Sequence, residues 1–296
     1  STHSLLAKDG VISNNGKAFL KELILQRDPR LMDLLKRFDS QEGQDTAFLD
    51  TINDLIEGEA EKLFNSLFNE CTLEKAKSLS KAEREVKAMD EEKSLIYGEV
   101  EFHSFARVLR KIAPRAGTKF YDLGSGTGRA VFIARFLHDF DRCVGLEILE
   151  GLHGAAAQVL ERYNQDYRQY LSTGNSQRVG VYQGSILEQD WSDGDVVFAN
   201  STCFDDDLME AMSTKAESLQ PGAFFVTFTK GLTSDEFELM ERKRYKMSWG
   251  PATVFIHRRL NYDKTVYSNE QLQDVPDDDS YKEYDDTYES SEEEEE

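Results

Sequence analysis

Three cysteines in 296 residues, Cys71, Cys143 and Cys203, are too few and too scattered for a disulfide framework or a zinc site. Their odd number and lack of metal spacing point to a reducing compartment. Long apolar runs are also missing. The longest, GAFFVTF at Gly222–Phe228, is far too short to cross a bilayer, and no secretory leader is visible. The five histidines stand without a paired acid or a metal-ligand spacing, so neither a catalytic dyad nor a metal centre is expected. No long run of lysine and arginine is present to neutralise nucleic-acid phosphates. These absences together predict a soluble intracellular protein.

Acid is abundant, and unevenly placed. The formal net charge is −21, of which residues 261–296, with fifteen acidic and two basic side chains, carry −13. That terminal stretch has too little apolar surface to fold alone and is expected to be disordered. An anionic brush of this kind either solubilises the chain, attracts a basic protein substrate, or screens basic faces of the chain itself.

Two short amphipathic stretches, KAFLKELILQ and RLMDLLKRF, flank Asp28-Pro29, where proline disfavours helix. A longer helix is predicted from Ile56, Ala60, Leu63, Phe64, Leu67, Phe68 and Cys71, which recur at three- and four-residue spacing. Charged, helix-prone sequence continues over 73–93. From residue 105 onward the rhythm changes to short apolar strands at 119–123, 142–147, 178–183, 195–200 and 223–229, with helices at about 127–138, 150–170 and 205–219. That alternation predicts a parallel sheet covered on both faces. Two last strands, Tyr245–Trp249 and Ala252–Leu260, are joined by a Gly-Pro turn too short for anything but an antiparallel hairpin at the sheet edge.

Chemistry concentrates in KFYDLGSGTGR, Lys119–Arg129, with glycines at alternate positions after an acid. Glycine so dense requires close backbone approach or unusual dihedrals. A phosphate loop would need Lys-Ser/Thr after the last glycine, and a dinucleotide fingerprint would place its third glycine at Arg129, one residue later than Gly128. The better match is D-x-G-x-G-x-G. In this reading Asp122 accepts from the methionine amino end of S-adenosylmethionine, directly or through water, and Gly124, Gly126 and Gly128 let the backbone pass close to the cofactor. Glu147 closes the next strand, where a carboxylate can accept both ribose hydroxyls. Taken alone, Glu147 could equally be an exposed acid opening a helix.

With these residues placed, the chain from about Leu95 to Leu260 resembles the disruptor-of-telomeric-silencing histone lysine methyltransferases. Three segments carry the likeness: YGEV at Tyr97–Val100, near the family's Y-G-E-T; DLGSGTG at Asp122–Gly128, matching D-L-G-S-G-x-G; and FANSTCF at Phe198–Phe204, near V-N-N-F-A-F. The resemblance implies an α/β fold with a seven-strand Rossmann-like class I methyltransferase sheet. It divides the chain into an N-terminal helical region (1–94), a methyltransferase core (95–262) and an acidic tail (263–296). It also implies lysine methylation in the globular core of histone H3, with histone or nucleosome as partner and the nucleus as location.

The family pattern places Tyr97, Gly98, Glu99 and Val100 in a loop closing over the cofactor, and Asn200 between cofactor and lysine. Ser185 and Ile186 stand at the adenine-binding aspartate and phenylalanine. Trp249 matches a family tryptophan, and the channel tyrosine aligns at Val254 or Phe255. Tyr97, Asn200, Trp249 and Phe255 are thus the expected catalytic constellation. Competing readings are ordinary core aromatics for Tyr97 and Trp249, a helix cap for Asn200, a structural role for His257, and a solvated strand face for RKRYK at Arg242–Lys246. At the level of function, a methyltransferase acting on a non-histone protein or a small molecule, or a non-catalytic interaction protein, would use the same fold.

Overall fold

The computed structural model describes residues 46–88, 97–168, 178–266 and 271–275. The two short helices expected before residue 40 and the acidic stretch 276–296 lie outside the described residues. Helices α1 (Thr46–Leu67), α2 (Leu73–Val86) and α3 (Phe102–Ile112) come first. There follow β1 (Lys119–Leu123), α4 (Arg129–Leu137), β2 (Arg142–Glu147), α5 (Glu150–Arg162), β3 (Arg178–Gln183), β4 (Val196–Ala199) and α6 (Asp206–Ala216). The chain closes with β5 (Phe224–Phe228), β6 (Phe237–Met247) and β7 (Gly250–Arg259). The seven strands form one sheet in the order β3-β2-β1-β4-β5-β7-β6. Strands β1 to β5 pair in parallel, and β7 runs antiparallel to both β5 and β6.

Helix α1 exists because one stripe is apolar. Ile56, Ala60, Phe64 and Leu67 are fully buried, and Phe64 lies 5.2 Å from the Phe102 ring of α3. Phe68, just beyond α1, meets Phe132 of α4 edge-on at 5.8 Å. Truncating a buried phenylalanine such as Phe64 costs about 3–5 kcal/mol, so α1 is held by packing rather than by propensity. Helix α3 was not among the elements expected from sequence, although Phe102, Phe105, Ala106, Leu109 and Ile112 are buried along it. Its tie to α1 is also polar. Contrary to the expectation that no histidine has a paired acid, His103 sits between Glu57 (Nδ1 to Oε1, 2.8 Å) and Glu61 (Nε2 to Oε2, 2.6 Å), which α1 brings to it from distant sequence.

The Glu57 hydrogen bond, opposed by partial burial and helped by the Glu61 charge, raises the His103 pKa to about 9. A group raised in the folded state contributes stability that is full below its unfolded pKa, near 6.5, and lost as pH rises through about 9. His103→Gln is therefore expected to lower Tm at pH 6.5, with the gap to the parent protein shrinking steadily up to pH 10. Thermal melts across that range check this. A gap that stayed constant would mean the histidine is not held charged.

Two sequence expectations need correction at the sheet edge. Strand β6 begins at Phe237, eight residues before the expected Tyr245, and the hairpin turn is Ser248-Trp249 rather than Gly-Pro. Gly250, at φ +126°, opens β7, and Pro251 pairs with Lys246. The early part of β6 was hidden because a bulge between Leu239 and Glu241 shifts the phase of its side chains. The other difference is at the end of α5. Regular helix stops at Arg162 and a π-helical turn follows over Tyr163–Tyr167, which buries Tyr163 with its hydroxyl accepting from Arg135 Nε at 2.8 Å.

Candidate active site

Strand order reverses between β1 and β4, and open parallel sheets bind ligands outside the carboxyl ends of their strands at such a switch point. Asp122 on β1, Glu147 at the end of β2 and Asn200 just after β4 all line one cavity there, of about 570 Å³. The same cavity takes in Tyr97–Val100, Gly124, Ser185, Ile186 and Trp249, residues from six separate stretches of chain.

The glycine loop turns on positive φ at Gly124 (+83°), Gly126 (+55°) and Gly128 (+92°), conformations that disfavour any side chain. Their duties differ. Gly124 lines the cavity with open space where a Cβ would be. Gly126 does not line it; a Cβ there would run into the Tyr97 ring, and its N–H donates to Glu147 Oε2 at 2.8 Å. Gly128 is the N-cap of α4 and packs near Phe132 and Ala156. Of the three, only Gly124 borders the cavity.

Glu147 is buried, and its second oxygen accepts from the Leu149 N–H at 2.9 Å. Burial raises its pKa, opposed by the amides of Leu149, Gly126 and Ile148. A carboxylate has about four acceptor sites, so two hydroxyl donors can still be taken. Asp122 is buried with no hydrogen-bond partner for Oδ1 among the described residues. Burial, then the Glu147 charge, push its carboxyl well above the usual range. An unpartnered oxygen on a buried carboxyl that lines a cavity leaves hydrogen-bonding capacity open to a ligand.

The Tyr97–Val100 segment is pinned on two sides. The Tyr97 hydroxyl donates to Glu99 Oε1 at 2.8 Å and lies 3.1 Å from Thr127 Oγ1. Burial, then the Glu99 charge, raise the Tyr97 pKa well above its usual value, so the phenol stays protonated. Glu99 also pairs with Arg129 Nε at 3.1 Å, and burial nonetheless raises its pKa. Trp249, 39% exposed at the rim, covers Gly98 so closely that a Cβ would stand 2.9 Å from its ring. Gly98 is glycine because Trp249 is there.

Several residues that sequence reasoning did not single out belong to the site. Arg129 lines the cavity with its guanidinium 4.6 Å from the Phe64 ring and 5.2 Å from Phe68, so α1 reaches the site through it. Ile148, Leu149, Leu152, Phe204 and Leu208 supply apolar wall beside Ile186. Thr202 donates to Asn200 Oδ1 at 3.0 Å and lies 3.2 Å from the Thr229 hydroxyl. Thr229 itself has φ +68°, strained for a β-branched residue, with Lys230 N–H donating across it to Phe228 O at 2.7 Å. No pattern in the sequence marks the Arg129–Phe64, Arg129–Phe68 and Thr202–Thr229 contacts, because each arises between distant segments.

Phe255 is not brought to the cavity. It lies on β7 with its ring against His257 (6.1 Å, stacked) and the Arg242 guanidinium (5.6 Å), while Val254 is buried in the core. His257 is an internal strut. Nδ1–H donates to Phe225 O at 2.9 Å, Nε2 accepts from Leu232 N–H at 3.1 Å, and burial lowers its pKa to about 4. Among the described residues no group of three or more His, Cys, Asp or Glu is placed to hold a metal, and no helix is long and apolar enough to cross a membrane.

An acidic strand end, alternate-glycine turn, second-strand carboxylate and apolar slot at the switch point of this sheet define an S-adenosylmethionine-dependent methyltransferase of the Rossmann-like class. The particular family follows from comparison with known sequences. The profile described as "Histone methylation protein DOT1" matches residues 76–249, more than half of the chain, and the protein belongs to that family. The match begins inside α2 and ends at Trp249. No curated relative matches.

Similar solved structures include an RNA methyltransferase from Salinibacter ruber in complex with S-adenosyl-L-homocysteine (23% identity, TM-score 0.41, covering 57% of this chain and 95% of that one). TrmN from Thermus thermophilus is similar at 16% identity and TM-score 0.45, covering 57% of this chain and 52% of that one. An O-methyltransferase from Bacillus cereus, in complex with SAH, shows 18% identity and TM-score 0.41 over 62% of this chain and 90% of that one.

Proposed function

We propose that the protein methylates a lysine of a histone, in the globular core of H3, and acts in the nucleus on histone or nucleosome. Membership in a histone methylation family supports this reading. The observation that carries it beyond family is the cavity rim. Asn200, Thr202 and Trp249 all border the cavity and Trp249 is 39% exposed, so the cavity has a solvent-facing rim at which a long side chain on a macromolecule can enter. The division into helical region (1–94), methyltransferase core (95–262) and acidic tail (263–296) belongs to the same proposal.

When bound, the cofactor supplies an electrophilic methyl group on a sulfonium. Asp122 would hold its amino group and Glu147 its ribose hydroxyls, while Ser185 and Ile186 would border the adenine. Leu187 N–H donates to Ser185 Oγ at 3.2 Å and Trp191 Nε1–H to Ile186 O at 2.8 Å, so that turn is already fixed. Tyr97 and Glu99 exclude water from above. Asn200, its amide oxygen anchored by Thr202, orients the incoming amine, and Trp249 walls the lysine's apolar stem. Orientation and desolvation of a neutral amine can supply most of the rate, so no dedicated base is required.

Mass spectrometry of histones and nucleosomes after incubation with the protein and S-adenosylmethionine should show added methyl groups on an H3 core lysine. Methylation of small molecules or non-histone extract proteins alone would overturn the substrate assignment. Asn200→Ala should lose turnover by about 10²-fold, within the range for one misplaced orienting group, with Tm unchanged. A folded variant with full lysine methylation would remove Asn200 from the mechanism.

A further inference from the structure

We propose that Glu83 of α2 is a positioning residue for the cofactor site, fixing the first turn of α5 and with it the cavity wall from Glu147 to Leu152. This rests on the cofactor assignment above. Helix α5 begins after Leu149, which offers no capping side chain. Its leading amides are instead held by two carboxylates, one just upstream at Glu147 and one from α2. Leu149 N–H donates to Glu147 Oε1 at 2.9 Å, Glu150 N–H to Glu83 Oε1 at 2.9 Å, and Gly151 N–H to Glu83 Oε2 at 2.7 Å. Three consecutive amides are thus shared between the residue assigned to the ribose and a residue on a separate helix.

Three further features fit this role. Gly151 is a close-approach glycine: a Cβ there would stand 3.2 Å from Glu83 Oε2 and 3.7 Å from Leu79 Cβ. An apolar cluster continues the contact inward, with Ala76, Leu149 and Leu152 buried and Leu79 and Tyr97 packed on them. Leu149, Leu152 and Tyr97 all border the cavity. Finally, Lys87 Nζ sits 2.8 Å from Glu83 Oε1 and 3.7 Å from Glu150. The charged groups around Glu83 are therefore Lys87, Glu150 and, behind Leu149, the Glu147 carboxylate, whose own pKa the Glu83 charge raises. Burial pushes the Glu83 carboxyl up, but the Lys87 hydrogen bond and the two amides outweigh it and hold the pKa below the ordinary value. The clamp is ionised.

In sequence Glu83 lies within KAEREVK, where it looks like any solvated helix acid. Its partners are 67 and 68 residues away. A merely structural clamp would cost folding stability and leave the affinity of the folded molecule alone. A positioning clamp would cost affinity, because the wall carrying Glu147 and Leu149 relaxes before ligand arrives and must be reordered on binding.

The test is calorimetric titration of S-adenosylmethionine and S-adenosylhomocysteine into the full chain well below Tm, with Tm measured in parallel. Glu83→Ala should weaken binding about tenfold, and Glu83→Gln, which keeps one acceptor oxygen, about threefold. Gly151→Ala, which crowds the carboxylate without removing it, should fall between them. Arg259→Ala, which frees Glu236 and the Glu217 carbonyl, none of them a cavity-lining residue, should lose Tm with an unchanged Kd. Glu83→Ala binding within about twofold of the parent overturns the proposal, whatever happens to Tm. Should Glu83→Ala fail to fold, unchanged affinity in Gly151→Ala overturns it equally. Absence of binding by the unmodified protein would overturn both this proposal and the cofactor assignment beneath it, whereas binding that ignores Glu83 would overturn this one alone.

Discussion

Gly126→Arg is expected to abolish S-adenosylmethionine binding in a chain that still folds. Two independent constraints converge on this glycine. Its φ of +55° lies in the left-handed region, where an ordinary residue costs about 1–2 kcal/mol. A Cβ would also collide with the Tyr97 ring, so an arginine must expel Tyr97 from its hydrogen bonds to Glu99 and Thr127. The damage is therefore indirect. The side chain does not enter the cavity from below; it dislodges the tyrosine that closes one side of it, and it disturbs the N–H that anchors Glu147. Losing both should weaken binding by more than about a hundredfold, since each buried polar anchor contributes about 1–3 kcal/mol. Calorimetry on the folded variant, with circular dichroism to establish the fold, decides the matter. Undiminished affinity would show that neither Tyr97 nor the glycine loop contacts the cofactor.

Glu147→Ala should lower cofactor affinity ten- to hundredfold, on the basis of roughly 1.5–3 kcal/mol for hydrogen bonds to a charged acceptor. The structure puts the effect at the upper end of that range. Besides any ribose hydroxyls, this carboxylate holds the Gly126 and Leu149 amides, so its removal loosens the glycine loop and the start of α5 together. Glu147→Gln keeps one acceptor oxygen and should recover part of the loss. If Glu147→Ala bound the cofactor as tightly as the parent protein, the residue would be a structural acid that happens to border the cavity.

The alternation of short apolar strands and helices was readable from the sequence because burial on both faces of a parallel strand demands a continuous apolar run. β1 and β2 are buried except for their first residues and span the expected 119–123 and 142–147, whereas β3, at the sheet edge, keeps its expected bounds 178–183 while only partly buried. Asp122 and Glu147 were legible for a related reason, whereas Asn200 entered only through the family likeness of FANSTCF. In this topology the carboxyl end of a strand is a place in space as well as in sequence, so residues there converge at the switch point without any knowledge of packing. The hairpin was partly legible, through its short link. Its length was not, because the bulge in β6 breaks the alternation that a sequence pattern depends on.

What the sequence alone determined about this protein is its class: the strand rhythm, the acid–glycine loop, and the pair of carboxylates that suit a cationic cofactor with vicinal hydroxyls. Tertiary structure alone decided how those groups are held. Arg129 is wedged between α1 aromatics and Glu99, Gly98 yields to Trp249, Gly126 yields to Tyr97, and Glu83 reaches across to the first turn of α5. Phe255 shows the same limit from the other side. It follows Val254 on a strand whose neighbours point alternately to opposite faces, and the register with β5 and β6 turns it toward His257 and Arg242 instead of the cavity. Local pattern can specify which residues lie at a strand end or on a helix face. Which distant side chain meets them depends on helix docking and strand register, and those are set by the packing of the whole core.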